Sequence, residues 1–290
     1  MVTDESLDLL FSPSKWTKRA VPDVIKLHID VVTQASKYAR KNIPCELNVA
    51  YGYAEKEKLD IYGTDLPPDA PIFVYIHGGY WQQLDKDISA YLVESFHRKD
   101  IKVIVIGYTL CPNCTLKEIV QEIRNAYVKC LEYAKKCGSK GIYVGGHSAG
   151  GHLTASLFQE FFCSMPEVDQ HYLKGVVCIS GVYDLVPIVR TYVNDALGLT
   201  EELAKELSPL HQSIRANKTI HFLVLIGQHE SPAFHEQSTS FYQKLVESGY
   251  NAELVEIKDV DHFTIVENLN DTNSKIFTLI TNAIEKNTLI

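Results

Sequence analysis

Eight short apolar runs are spread along the chain: Leu47–Tyr51, Leu59–Tyr62, Ile72–Ile76, Val103–Ile106, Ile142–Val144, Val176–Ile179, Phe222–Ile226 and Leu254–Ile257. Most are rich in Val, Ile, Tyr and Phe, whose branched or aromatic side chains suit a pleated, packed surface. Between the later runs the spacing of apolar positions changes to three or four. Ile119, Ile123, Ala126, Cys130 and Tyr133 define one helical face, and Phe234–Val246 and Phe263–Leu279 define two more helices. Strands alternating with helices predict βαβ units, hence an α/β class with a mainly parallel sheet of about eight strands flanked by helices. The first two runs are joined without a helix, which predicts an antiparallel edge. Residues 1–45 read as an N-terminal extension with one helix, on the spacing of Val24, Leu27, Val31, Ala35 and Tyr38 with Pro22 at its start. Pro187–Asn217 carries no strand between two sheet strands. It reads as a cap-like helical excursion, too short to be a second domain, so 1–290 is expected to form one domain.

Composition narrows the class. The 290 residues are 46% hydrophobic, 22% charged and 10% aromatic, which excludes disordered, collagen-like and coiled-coil chains. A chain of this length buries roughly three quarters of its unfolded surface, so its core needs neither disulfide nor metal. The net charge is −8 and no basic stripe exists, which argues against nucleic acid and anionic membrane as partners. No apolar run approaches the roughly 18 residues that span a bilayer. The first ten residues hold three acids and no basic n-region, and the seven cysteines are an odd number. Reduced thiols in a cytoplasmic setting are expected, with a minor nuclear fraction left open.

Chemistry concentrates after three of the strands. Gly146-His147-Ser148-Ala149-Gly150 matches G-x-S-x-G between a strand and His152–Phe162, which reads as a helix. That context predicts a nucleophile elbow with Ser148 on a tight turn. His77-Gly78-Gly79-Tyr80-Trp81 follows the strand Ile72–Ile76, and its glycines allow main-chain N–H groups to approach a developing oxyanion. Gly78 or Gly79, with Ala149, are the expected donors. The plain alternative for each motif is an ordinary glycine-rich turn.

A serine nucleophile in this fold order needs an acid and then a histidine downstream. His262, in Asp261-His262-Phe263 after the last strand, is the expected base. Glu230 is the only carboxylate in the loop Gly227–Pro232 and is the expected acid, with Asp184, one strand earlier, as runner-up. Asp259 and Asp261 read as loop structure. Cys111-Pro-Asn-Cys114 has C-x-x-C spacing but no second pair, so a redox or zinc role is disfavoured. His229-Glu230 and His235 are six residues apart with Pro232 between, so they cannot face one metal from one helix. No metal site and no cofactor are expected.

Taken with Ser12-Pro-Ser-Lys-Trp16, Gly146-His-Ser-Ala-Gly-Gly-His152, Gln228-His-Glu-Ser-Pro232 and Asp259-Val-Asp-His-Phe263, these motifs resemble kynurenine formamidases (arylformamidases), α/β-hydrolases close to the hormone-sensitive-lipase-like esterases. The resemblance spans nearly the whole chain. It implies a Ser148–Glu230–His262 triad and hydrolysis of N-formyl-L-kynurenine to L-kynurenine and formate. One departure stands out: the family usually has Asp where this chain has Glu230. Tyr80 and Trp81 are expected to form an aromatic wall for the substrate ring, against the alternative that they pack in the core. A homodimer is suggested by the likeness alone. The rival readings are a broad carboxylesterase with the same residues and a non-catalytic binding protein on the same fold.

Overall fold

The computed structural model describes residues 4–288. Its centre is one eight-stranded sheet: β1 Cys45–Ala50, β2 Lys58–Tyr62, β3 Ile72–Ile76, β4 Lys102–Ile106, β5 Ile142–His147, β6 Leu173–Ile179, β7 His221–His229 and β8 Asn251–Asp261. The spatial order is β1-β2-β4-β3-β5-β6-β7-β8. β1 pairs antiparallel with β2 and β2 with β4, while all later pairs are parallel. The eight apolar runs are thus the eight strands, and the edge is antiparallel as expected.

The central strands are buried on both faces, and their side chains alternate between two cores. Val74, Ile104, Val144, Val176 and Val224 face one side, under the helices Leu116–Cys137, Ala149–Ser156 and Pro232–Glu247. Phe73, Val103, Tyr143, Val177 and Leu223 face the other, under Val24–Asn42, Val93–His97 and Lys275–Thr288. Among the described residues no helix is long and apolar enough to cross a membrane.

Three expectations are corrected. The segment Phe263–Leu279 is not one helix: Thr264–Glu267 ends in a 3-10 turn at Asn268–Asn270, and a new helix starts at Lys275. Asp271 accepts from Asn273 N–H, and the Ser274 hydroxyl caps Phe277 N–H, so polar side chains take over backbone bonding there. The run His152–Phe162 also breaks: the helix opens earlier, at Ala149, stops at Ser156, and a short second helix covers Glu160–Ser164. The N-terminal helix buries Val24, His28, Val32, Ser36 and Ala39, while Val31 and Tyr38 are exposed. The buried stripe is one position on from the most apolar one because its polar members are satisfied. His28 pairs with Glu267, and Ser36 accepts from Ala90 N–H.

Pro187–Asn217 is indeed without strand. It holds short helical turns at Pro187–Arg190, Asn194–Leu197, Glu201–Leu207 and Pro209–His211. Tyr192 and Val193 from this stretch reach the cavity described next.

Candidate active site

β5 leads straight into Ser148, which has φ 56° and ψ −117° and is buried. A residue with a Cβ enters this region only under strain, so surrounding structure has to impose it. The glycines do so by permitting contact. A Cβ on Gly146 would run into the Gly150 carbonyl, and one on Gly150 would run into the carbonyl of Ile76 on β3. The helix Ala149–Ser156 begins immediately after, so the Ala149 N–H is among the amides with no partner inside the helix.

The His77–Trp81 loop runs beside this elbow because Ile76 on β3 is in register with Gly146 on β5. Gly79 has φ 102°, and a Cβ there would collide with the Gln83 carbonyl. His77 does not face the cavity. Its ring stacks on Tyr108 at 4.2 Å, its Nδ1 lies 2.8 Å from Gly78 O, and burial pushes its pKa down to about 4. Tyr108 donates to His77 O at 2.9 Å. The loop is therefore braced from behind, with its glycine side toward Ser148: a Cβ on Gly78 would come within 3.2 Å of Ser148 Cβ.

β7 and β8 are paired with His229 opposite Asp261, so the residues that follow each are neighbours. His262 Nδ1 lies 2.7 Å from Glu230 Oε2, and both side chains are almost wholly buried. The other oxygen of Glu230 accepts from the hydroxyl of Ser180, which follows β6 and has φ 46°. The His262 ring packs against His147 at 4.5 Å and Phe234 at 4.8 Å between centroids. Burial, then the nearness of His262, holds His147 well below the usual imidazole range, so it stays neutral.

Ser148 and His262 line one cavity, together with Gly79 and Tyr80. Among the described residues no hydrogen bond joins the Ser148 hydroxyl to His262. Contacts between nucleophile and base often tighten only around the substrate.

Asp184 is turned elsewhere: it accepts from Val186 N–H at 2.9 Å and pairs with His211 at 3.1 Å. Asp261 has a structural post, as expected of it. It accepts from Thr17, Arg19 and the amides of Phe263 and Thr264. Trp81 requires a correction. It is 0% exposed, is absent from the cavity wall and gives its indole N–H to His152 Nδ1 at 3.2 Å. The positive φ values at Tyr80 and Trp81 roll the chain so that Tyr80 faces the cavity and Trp81 the core. Cys111 and Cys114 are free thiols, pushed by burial up to about 11 and about 12. Among the described residues no cluster of three potential ligands could hold a metal.

Sequence reasoning missed the part played by the N-terminal segment. Pro13 and Ser14 line the cavity, and Tyr80 donates to Phe11 O at 2.7 Å. Arg19 and His28 both bond Glu267, on the short helix after His262. The Ser12-Pro-Ser-Lys-Trp16 signature was the available signal, since its residues pack where that strap crosses the site.

Comparison with known proteins identifies the fold and the family. A family model described as alpha/beta hydrolase fold matches residues 73–266. The kynurenine formamidase of Danio rerio is 34% identical over 290 residues, covering 98% of both chains. That of Salmo salar is 35% identical over 92% of both chains, and that of Drosophila melanogaster 29% identical over 76% of this chain and 75% of its own. Among solved structures, a Silicibacter protein assigned as a thioesterase superposes with a TM-score of 0.79 at 29% identity, covering 95% of this chain and 98% of its own. Esterase B of Lactobacillus rhamnosis shares the fold with a TM-score of 0.71 at 16% identity, covering 91% of this chain and 93% of its own. An elbow serine, a buried imidazole–carboxylate pair and full-length likeness to formamidases converge: this chain belongs to the kynurenine formamidase family of α/β-hydrolases.

Proposed function

We propose that the protein hydrolyses N-formyl-L-kynurenine to L-kynurenine and formate, with Ser148 as nucleophile, His262 as base and Glu230 as acid. The observation that carries this is the strained Ser148 facing the cavity that His262 lines, with the His262 ring fixed by Glu230, on a chain of the formamidase family.

His262 Nε2 takes the Ser148 proton as Oγ bonds to the formyl carbon. The carbonyl π pair moves onto oxygen, where the N–H groups of Ala149 and of Gly78 or Gly79 receive it; losing one such donor typically costs about 3 kcal/mol. The C–N bond then breaks. Its electron pair stays on the arylamine nitrogen, which takes the proton from His262. Water, giving a proton to His262, attacks the formyl ester and releases formate, and the proton returns to Ser148. Glu230 keeps Nδ1 protonated and stabilises the imidazolium without itself gaining a proton.

A formyl group, whose acyl substituent is hydrogen, asks for almost no acyl pocket, so acyl size separates this reading from its rivals. The direct test compares N-formylkynurenine, its N-acetyl analogue and a short p-nitrophenyl ester, with Ser148→Ala as control. Formamide turnover far above the acetamide, lost in the variant, supports the reading. Ester turnover alone would point to a carboxylesterase. Turnover of none of them would point to a binding protein on this fold.

A further inference from the structure

A second imidazole–carboxylate pair lies beside the first. His28 comes from the helix Val24–Asn42 and lines the same cavity as Ser148. Its side chain is 7% exposed, and its Nδ1 lies 2.8 Å from Glu267 Oε1. Its ring packs on Phe263 at 5.2 Å, on the side of the site next to His262. Nothing in the mechanism above uses it.

The cavity is short of charge. Among the described residues no Asp, Glu, Lys or Arg side chain lines it. A formylated amino acid would bring an ammonium and a carboxylate into it, and a buried charge without a partner is costly. Some polar wall groups are already engaged: Tyr80 donates to Phe11 O, Gln82 donates to Val193 O at 3.1 Å, and the Tyr192 hydroxyl accepts from Ser12, while Ser14 and Gln83 add only neutral polar groups. His262 is committed to Glu230. His28 differs. A carboxylate only accepts, so Glu267 fixes the proton on Nδ1, and Nε2 is the ring atom left for the cavity. That Nε2 makes no hydrogen bond among the described residues. The Nε2 atoms of His77 and His147 are sealed away without a partner, and that of His28 is not among such atoms.

The charges behind His28 set the sign of what it attracts. Glu267 and Asp261 are bridged by the single guanidinium of Arg19, at 2.9 and 3.2 Å. Two carboxylates against one guanidinium leave negative charge in excess behind the ring, and with Nε2 unprotonated this favours a cation over an anion on its cavity side. We propose that His28 is the anchor for the amino-acid end of the substrate, accepting a hydrogen bond from its α-ammonium at Nε2. The proposal rests on the formamidase reading and assigns the subsite that reading leaves open.

Four compounds test it: N-formylkynurenine, the analogue with hydrogen in place of the amine, the analogue with hydrogen in place of the carboxylate, and a formanilide lacking both. In the wild type, loss of the amine should lower kcat/KM about tenfold or more, and loss of the carboxylate should matter less. In His28→Phe the ratio between amine and des-amino substrates should collapse toward one. His28→Gln, which offers a carbonyl acceptor, should restore part of it. Labelling of Ser148 by a fluorophosphonate reports whether each variant is folded, and His28→Gln is read alone if His28→Phe is not. Calorimetric binding of the same compounds to Ser148→Ala reads the contact without catalysis. Failure of the formamidase reading, in which none of the four is hydrolysed, is thereby separated from failure of the anchor. A wild-type ratio near one, a ratio unchanged in His28→Phe, or dependence on the carboxylate in place of the amine would overturn the proposal.

Discussion

Arg19 is the place to test whether the N-terminal strap serves the chemistry or only the fold. Its guanidinium bonds Asp261, one residue before His262, and Glu267, five residues after it. Asp261 is 3% exposed. Burial alone would raise its pKa, but the donors Thr17, Thr264 and Arg19 outweigh burial and hold the carboxyl well below its ordinary range. Removing one partner of a buried pair costs about 3–5 kcal/mol. Arg19 is 18% exposed, and Asp261 keeps Thr17 and two amides in its absence, so Arg19→Ala should cost about 1.5–3 kcal/mol. For a chain of this size that is a fall in Tm of roughly 2–5 °C. The pH dependence has a definite sign. A carboxylate whose folded pKa is depressed contributes stability that is complete above its unfolded pKa and is lost as pH falls through the folded one. The gap between wild type and variant should therefore be full above about pH 5 and shrink below about pH 4. If the strap also aims the imidazole, kcat on N-formylkynurenine should fall about tenfold with KM little changed, since ångström-scale misplacement is expensive in rate. Thermal melts across pH and steady-state kinetics measure both. A lower Tm with unchanged kcat would refute the positioning argument, and no change in either would refute the clamp itself.

Other substitutions separate the roles assigned above. Glu230→Gln should lower kcat by about a thousandfold or more, because the buried amide no longer fixes the Nδ1 proton or balances the imidazolium, whereas Asp184→Asn, facing His211, should leave kcat within about twofold. Gly79→Ala asks a residue with a Cβ to hold φ 102° against the Gln83 carbonyl; kcat should fall about a hundredfold as the loop shifts its N–H groups, read in the same assay. Trp81→Phe removes the indole N–H from His152 and some core volume; a calorimetric melt should show a loss of about 1–3 kcal/mol, with KM for N-formylkynurenine nearly unchanged. A raised KM with normal stability would return Trp81 to the cavity wall.

The central strands were legible because each is a compact β-branched or aromatic run whose burial on both faces leaves no polar alternation to confuse it. The elbow and the Gly78-Gly79 loop were legible because only glycine tolerates those approaches. Glu230 was legible by elimination, and its fixation by Ser180 was not, since a lone serine after a strand has no signature. The N-terminal helix misled because apolar spacing points to Val31 and Tyr38, while the buried stripe holds His28 and Ser36, whose partners lie 239 and 54 residues away. The false continuity of Phe263–Leu279 has a readable cause: the cluster Asn270-Asp271-Thr272-Asn273-Ser274 offers its side chains to the backbone, and apolar residues resume at helical spacing beyond it. Trp81 shows the limit of position alone, for adjacent aromatics after a glycine pair went to opposite sides of the loop.

The central claim is that Ser148, deprotonated by a His262 that Glu230 orients, cleaves a formamide. The most direct measurement is the release of kynurenine and formate from N-formylkynurenine by the purified protein, beside Ser148→Ala. The account predicts equal molar release of the two products by the wild type, and a fall of at least about a thousandfold in the variant. Wild-type release indistinguishable from that of Ser148→Ala would contradict it.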